Sequence, residues 1–215
     1  MNHEQWISLL KAVLNQIQRL GGEIDSLIIK DPISVTEINK VENQLGISIP
    51  LSYKKVMLKC FSHLEWGWYF PDDFPLDDKF QDIFGSRGVL ALSELVECEN
   101  MRQELVQDVF NDPADSYDQI WHNKLAFFNV GNGDLFAFDL NKDEVDPPIV
   151  YLSHDDGEMH GFILGNNFID FMNKWSKIGF VGGESWSLLP FVDSQNSGIN
   201  LEGENVKEWK VVLNL

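Results

Sequence analysis

FFNVGNGDLFAFDLNKDEVDPPIVYLSHDDGEMHGFILGNNFIDFMNKW, residues 127–175, is the stretch whose reading decides the fold. Phe127, Phe128 and Val130 are β-formers. Gly131, Asn132, Gly133 and Asp134 tolerate positive φ, and Leu135, Phe136, Ala137 and Phe138 make the return arm, so the segment predicts a hairpin. Pro147 and Pro148 cannot donate to a ladder. The next strand therefore starts at Ile149 and runs through Val150, Tyr151 and Leu152 until the polar turn from Ser153 to Gly157. A short apolar segment, Gly161 to Leu164, follows. Asn167, with Asp170 three residues on, then predicts an N-cap for a helix that turns Phe168, Phe171, Met172 and Trp175 to one side. Strands followed by a covering helix predict an α+β fold: one twisted, largely antiparallel sheet flanked by helices.

Working outward, helical spacing of Trp6, Leu10, Val13, Leu14 and Ile17 predicts an N-terminal covering helix ended by Gly21 and Gly22. Ser34 and Glu37 form a capping-box pair ahead of Ile38, Val41 and Leu45, with Gly46 as the stop. Pro50 begins a second helix with Tyr53, Val56, Met57 and Cys60 inward. Ser93 is read as the cap of a helix facing Leu95, Cys98, Met101, Leu105 and Val109 to the core. Residues 182–187 read as a turn, and Val206, Trp209 and Leu213 as a short C-terminal amphipathic helix. The expected organisation is one domain over 1–215.

Composition narrows the function. Of 215 residues 44% are hydrophobic and 12% aromatic, enough for a packed core. Lys and Arg number 16 against 34 Asp and Glu, a net charge of −18, which argues against nucleic acid as a direct partner and favours a basic protein. MNHEQWISLL has neither a basic n-region nor an apolar h-region, and no run reaches the roughly 18 apolar residues of a membrane span, so a cytoplasmic location is expected. Cys60 and Cys98 lack CxxC spacing and read as buried thiols.

The order of these pieces resembles the SUKH superfamily, the Smi/Knr-type domain. In SVTEINKVENQLGISIPLSYKKVMLK, residues 34–59, Ile38, Glu42, Leu45, Gly46, Pro50 and Tyr53 match the family's opening helix pair. GNGDLFAFDL resembles its central hairpin, PPIVYLSHDDGE its next strand and turn, and NNFIDFMNKW its closing helix. The resemblance implies a SUKH-like core at about 33–176, with an N-terminal helix region 1–32 and a C-terminal extension 177–215. It also implies a non-enzymatic binding module. Bacterial members are typically immunity proteins that neutralise polymorphic toxins by direct binding, and fungal members act as regulatory scaffolds in cell-wall signalling.

No chemistry-bearing motif competes with that reading. His154, Asp155, Asp156 and His160 lack the i, i+4 spacing of a helical zinc site. Asp139, Asn141 and Asp143 imitate the start of an EF-hand loop, but Glu144 and Val150 stand where Gly and Glu are required. No cofactor, metal or catalytic residue is expected. Acidic residues concentrate between Glu65 and Asp118, where 14 Asp or Glu face 3 Lys or Arg. Within this region Trp66, Trp68, Tyr69, Asp72, Asp73, Asp77, Asp78 and Asp82 are the candidate partner-binding residues, because aromatic anchors beside steering charges are typical of strong interfaces. The competing reading makes the aromatic run a strand of the core and leaves only the aspartates exposed.

Overall fold

The computed structural model describes residues 3–86, 88–155 and 157–215. Helix α1 (His3–Arg19) buries Trp6, Leu10, Val13, Leu14 and Ile17, and Gly21, at φ 85°, follows it in the left-handed region. Two short strands, β1 (Glu23–Ile24) and β2 (Ile28–Lys30), lead to α2 (Val35–Leu45). At its start the Ser34 hydroxyl accepts from the Glu37 N–H and the Glu37 carboxylate accepts from the Ser34 N–H, the reciprocal cap expected. Helix α3 (Leu51–Lys59) follows Pro50 and buries Tyr53, Val56 and Met57. Glu42 ties the pair together, accepting the Ile49 N–H at 2.8 Å and pairing with Lys54 at 2.6 Å.

The chain continues through β3 (His63–Glu65), β4 (Trp68–Tyr69), a 3-10 turn (Asp78–Phe80), β5 (Val89–Ala91), α4 (Leu92–Asp108) and α5 (Asp118–Trp121). The hairpin β6 (Lys124–Asn129) and β7 (Leu135–Asp139) is followed by β8 (Ile149–Leu152) and β9 (Ile163–Gly165). Helix α6 (Phe168–Lys177), the short α7 (Ser185–Leu188), a 3-10 turn (Leu189–Phe191) and α8 (Glu204–Leu213) complete the described order.

Strands β6-β7-β8-β9 pair antiparallel in sequence order, with Ala126 opposite Ala137 and Phe136 opposite Tyr151. Both faces are buried, which explains apolar runs without polar alternation. Phe136, Phe138, Ile149 and Tyr151 join the large core with Phe168, Phe171 and Trp175 of α6, while Leu135, Ala137, Val150 and Leu152 meet Cys98, Phe110 and Trp121 on the other side. A bulge between Ala126 and Phe128 lets the successive Phe127 and Phe128 both enter the large core.

The fold is α+β with antiparallel pairing, but its ladders divide into three sheets where one was expected: β6-β7-β8-β9, β2-β3-β5 and β1-β4. The division falls at Trp66 and Gly67. There the chain leaves β2 and β5 and pairs with β1 instead, and Gly67 comes so close that a Cβ on it would lie 2.1 Å from Asp25 Oδ2. Two local expectations also change. Helix α4 begins at Leu92 after Ala91, placing Ser93 inside its first turn, and Val109 lies beyond the helix, 55% exposed. The presumed turn at 182–187 contains the start of α7.

Past α6 the backbone turns through Gly179 at φ 80° and Phe180 at φ 54°, freeing carbonyls in the interior. Four indoles satisfy four successive carbonyls: Trp209 donates to Ile178 O (2.9 Å), Trp68 to Gly179 O (3.1 Å), Trp66 to Phe180 O (3.2 Å) and Trp175 to Val181 O (2.9 Å). Trp6 of α1 and Trp209 of α8 belong to the same hydrophobic cluster as Trp175.

Candidate functional site

The acidic loop grows out of this tryptophan layer. Trp68 O accepts the Gly85 N–H at 2.8 Å, which closes residues 69–84 at the neck as a compact loop. Gly85 is required there, because a Cβ would lie 2.1 Å from Trp68 Cδ1. The loop packs its own rings. Tyr69 and Phe84 stack at 5.4 Å just above the neck, Phe70 and Phe74 stack at 4.7 Å, and Phe80 is buried against Phe191 and Trp209. Asp77 starts the 3-10 turn by accepting the Lys79 N–H at 3.2 Å.

The loop encloses a cleft of about 770 Å³, walled by Tyr69, Phe70, Phe74, Leu76 and Phe84, with Asp72, Asp78 and Asp82 among its lining residues and Trp186 closing one side. Asp73 and Asp77 are exposed outside it. Lys79 is the one cation of the loop, and it is bound to Glu208 with its ammonium 5.1 Å from the Phe80 ring centroid. None of the five aspartates forms an ion pair with a described Lys or Arg. Lys79 feels the Asp77 charge, and among the described residues the field of the other four is left for solvent or a partner.

Of the residues singled out in the sequence, the structure thus gathers Tyr69, Asp72, Asp78 and Asp82 at the cleft. Trp66 and Trp68 need correction as contact residues, since they are 1% and 0% exposed and their N–H groups are spent on backbone carbonyls. Trp186 was missed. It is 50% exposed, whereas the other six tryptophans are no more than 2% exposed, and its only linear signal is a large ring within a Gly- and Ser-containing polar run.

A second cluster forms around the hairpin turn. Asp134, His154 and Asp155 each present one potential ligand atom, all within 4.8 Å of one another. The Asp134 carboxylate already accepts from Tyr151 Oη, the His154 N–H at 3.0 Å and Asn132 Nδ2 at 3.1 Å, and it contacts His154 Nδ1 at 2.8 Å. Burial pushes Asp134 up, but these hydrogen bonds outweigh it and hold the carboxyl below its ordinary range. A carboxylate so saturated anchors the turn against the end of β8, and a cation would have to displace those donors. His160 stands apart, accepting the Ser153 N–H at 3.0 Å and stacking on Tyr117 with centroids 3.7 Å apart. Ser153 Oγ bonds Asp155 rather than a histidine, so Ser153 and His160 are not aligned as nucleophile and base. Asp156 lies outside the described residues. The EF-hand-like Asp139 is engaged by Lys124 at 2.9 Å, both buried.

The SMI1 / KNR4 family (SUKH-1) model matches residues 32–174. The chain belongs to the SUKH family. Comparison with curated proteins gives no match. No helix among the described residues is long and apolar enough to cross a membrane.

Within the SUKH match, the recognisable residues build the fold rather than the cleft. Ile38 is buried, Glu42 holds the α2–α3 link, Gly46 ends α2 at φ 71°, and Tyr53 packs on Phe127, Phe138 and Phe168. The cleft instead combines residues 69–84 with Trp186, which lies beyond the matched span.

Proposed function

We propose that this SUKH-family chain is a non-enzymatic binding module, an immunity protein that neutralises a cognate basic, nucleic-acid-targeting toxin by direct contact. Residues 1–215 act as one domain in the cytoplasm, and the contact surface is the face around Tyr69, Asp72, Asp73, Asp77, Asp78 and Asp82. The observation that carries the reading is this face itself: five aspartates in no ion pair with a described Lys or Arg, three lining an aromatic cleft and two exposed beside it, on a chain of net charge −18. A toxin that grips nucleic acid is cationic, so such a face accelerates encounter and can fill the substrate groove.

Co-purification with the product of the adjacent open reading frame, followed by association kinetics over a salt series, tests the reading. The association rate is expected to fall as salt rises. Reversal of Asp72, Asp73, Asp77 and Asp78 to lysine is expected to slow it at low salt and flatten the dependence, with unfolding stability lowered by no more than the loss of the Asp77 cap, about 0.5–2 kcal/mol. Association with a basic partner that ignores both salt and reversal would refute it.

A further inference from the structure

We infer that the cleft between residues 69–84 and Trp186 receives an arginine side chain of the partner protein. This inference rests on the preceding reading that the partner is a basic protein, and names the chemistry the cleft selects. Three features point to guanidinium in particular.

The first is the pairing of aromatic rings with carboxylates in one concavity. Tyr69, Phe84 and Trp186 supply π-faces, and Asp72, Asp78 and Asp82 supply acceptors in the same cleft. A guanidinium is planar and weakly hydrated, stacks on rings and offers a fork of donors to a carboxylate, so both kinds of lining favour it together. An ammonium is a compact, strongly hydrated point charge and gains less from a ring wall.

The second feature is Trp186. A chain that brings six of its seven tryptophans to 2% exposure or less leaves this one half exposed on the lining of an acidic cleft. Exposed tryptophan is costly to leave wet and is enriched among residues that dominate binding energy. The third is the disposition of Lys79. The loop's own cation is bound to Glu208, and no Lys or Arg is among the described residues that line the cleft. A second copy of the chain is disfavoured as occupant, because two bodies of net charge −18 repel. The cleft volume of about 770 Å³ admits a side chain together with part of its flanking backbone.

The test uses the full chain labelled with 5-fluorotryptophan, observed by fluorine NMR. The probes are two short glycine-spaced peptides identical except for arginine or lysine. The arginine peptide is expected to shift one resonance, assigned to Trp186 by its absence in Trp186→Phe, and to bind roughly fivefold more tightly than the lysine peptide. Asp78→Asn with Asp82→Asn is expected to weaken the arginine peptide by a similar factor or more, again roughly fivefold. In the complex with the cognate partner, Trp186→Ala is expected to raise the dissociation rate by roughly fivefold or more. Equal binding of the two peptides, no shift at Trp186, or an unchanged dissociation rate would each overturn the arginine pocket. These results are separable from failure of the parent reading, which is decided by partner association in the fourfold aspartate reversal with Trp186 intact.

Discussion

Trp68→Phe separates a core tryptophan from a contact tryptophan. The side chain is fully buried, packs at 5.5 Å from Phe70 and 6.3 Å from Trp209, and gives its N–H to Gly179 O at 3.1 Å. Phenylalanine keeps one ring in place but cannot donate. A buried carbonyl deprived of its partner costs about 1–3 kcal/mol. The smaller ring adds a cavity cost below the 3–5 kcal/mol typical of full truncation of a large aromatic. The sum is a loss of about 2–4 kcal/mol for Trp68→Phe, whereas Trp186→Phe should stay within about 0.5 kcal/mol. Urea unfolding followed by far-ultraviolet circular dichroism reads both variants without relying on tryptophan emission, and an unchanged m-value certifies that the midpoint shift is a stability change. A loss below about 0.5 kcal/mol in Trp68→Phe would refute the tryptophan layer as a stabilising element. So would Trp68→Ala that weakens partner binding at wild-type stability, which would restore Trp68 as a contact residue.

Gly85→Ala forces a methyl into the Trp68 ring, and overpacking of this kind costs about 1–3 kcal/mol in the same urea assay; unchanged stability would show that the neck of the loop is loose. Glu184 has a buried oxygen without a described hydrogen-bond partner, and burial first, then the nearby Asp134 charge, raises its carboxyl above the ordinary range. An acid whose folded value is raised costs stability once both states are ionised, so Glu184→Gln should raise the urea midpoint at about pH 7 and lose that advantage by about pH 3, where both states are protonated. A gain of equal size at both pH values would assign the effect to packing instead. Cys98 is pushed up to about 12 by burial and then by Glu94 and Glu97, and burial raises Cys60 as well, although Cys60 is half-buried. Iodoacetamide should therefore modify Cys60 slowly and Cys98 only on unfolding, as read by mass spectrometry of native and urea-treated protein.

Residues 127–175 were legible because their information is local. The turn residues Gly131 to Asp134, the break at Pro147 and Pro148 and the Asn167 cap each act within a few positions of themselves, and each stands where the sequence places it. The same holds for the Ser34–Glu37 box and the stripes of α1 and α8. The sheet division escaped because the Trp66–Gly67 break depends on Asp25, more than forty positions earlier.

What the sequence determined by itself was the α+β class, the family pattern and the acidity of residues 65–118, since periodicity, caps and charge are properties of neighbours along the chain. Tertiary structure alone decided which aromatics of WGWYF line the cleft. Trp66 and Trp68 are buried in the large core, where their N–H groups find the carbonyls of Phe180 and Gly179, 114 and 111 residues away, in a water-free interior. Tyr69 lies on the cleft side, and Trp186 reaches the same cleft from the far end of the chain. No spacing rule can announce such a meeting, because the hydrophobic effect specifies that a ring be buried but not against which distant partner.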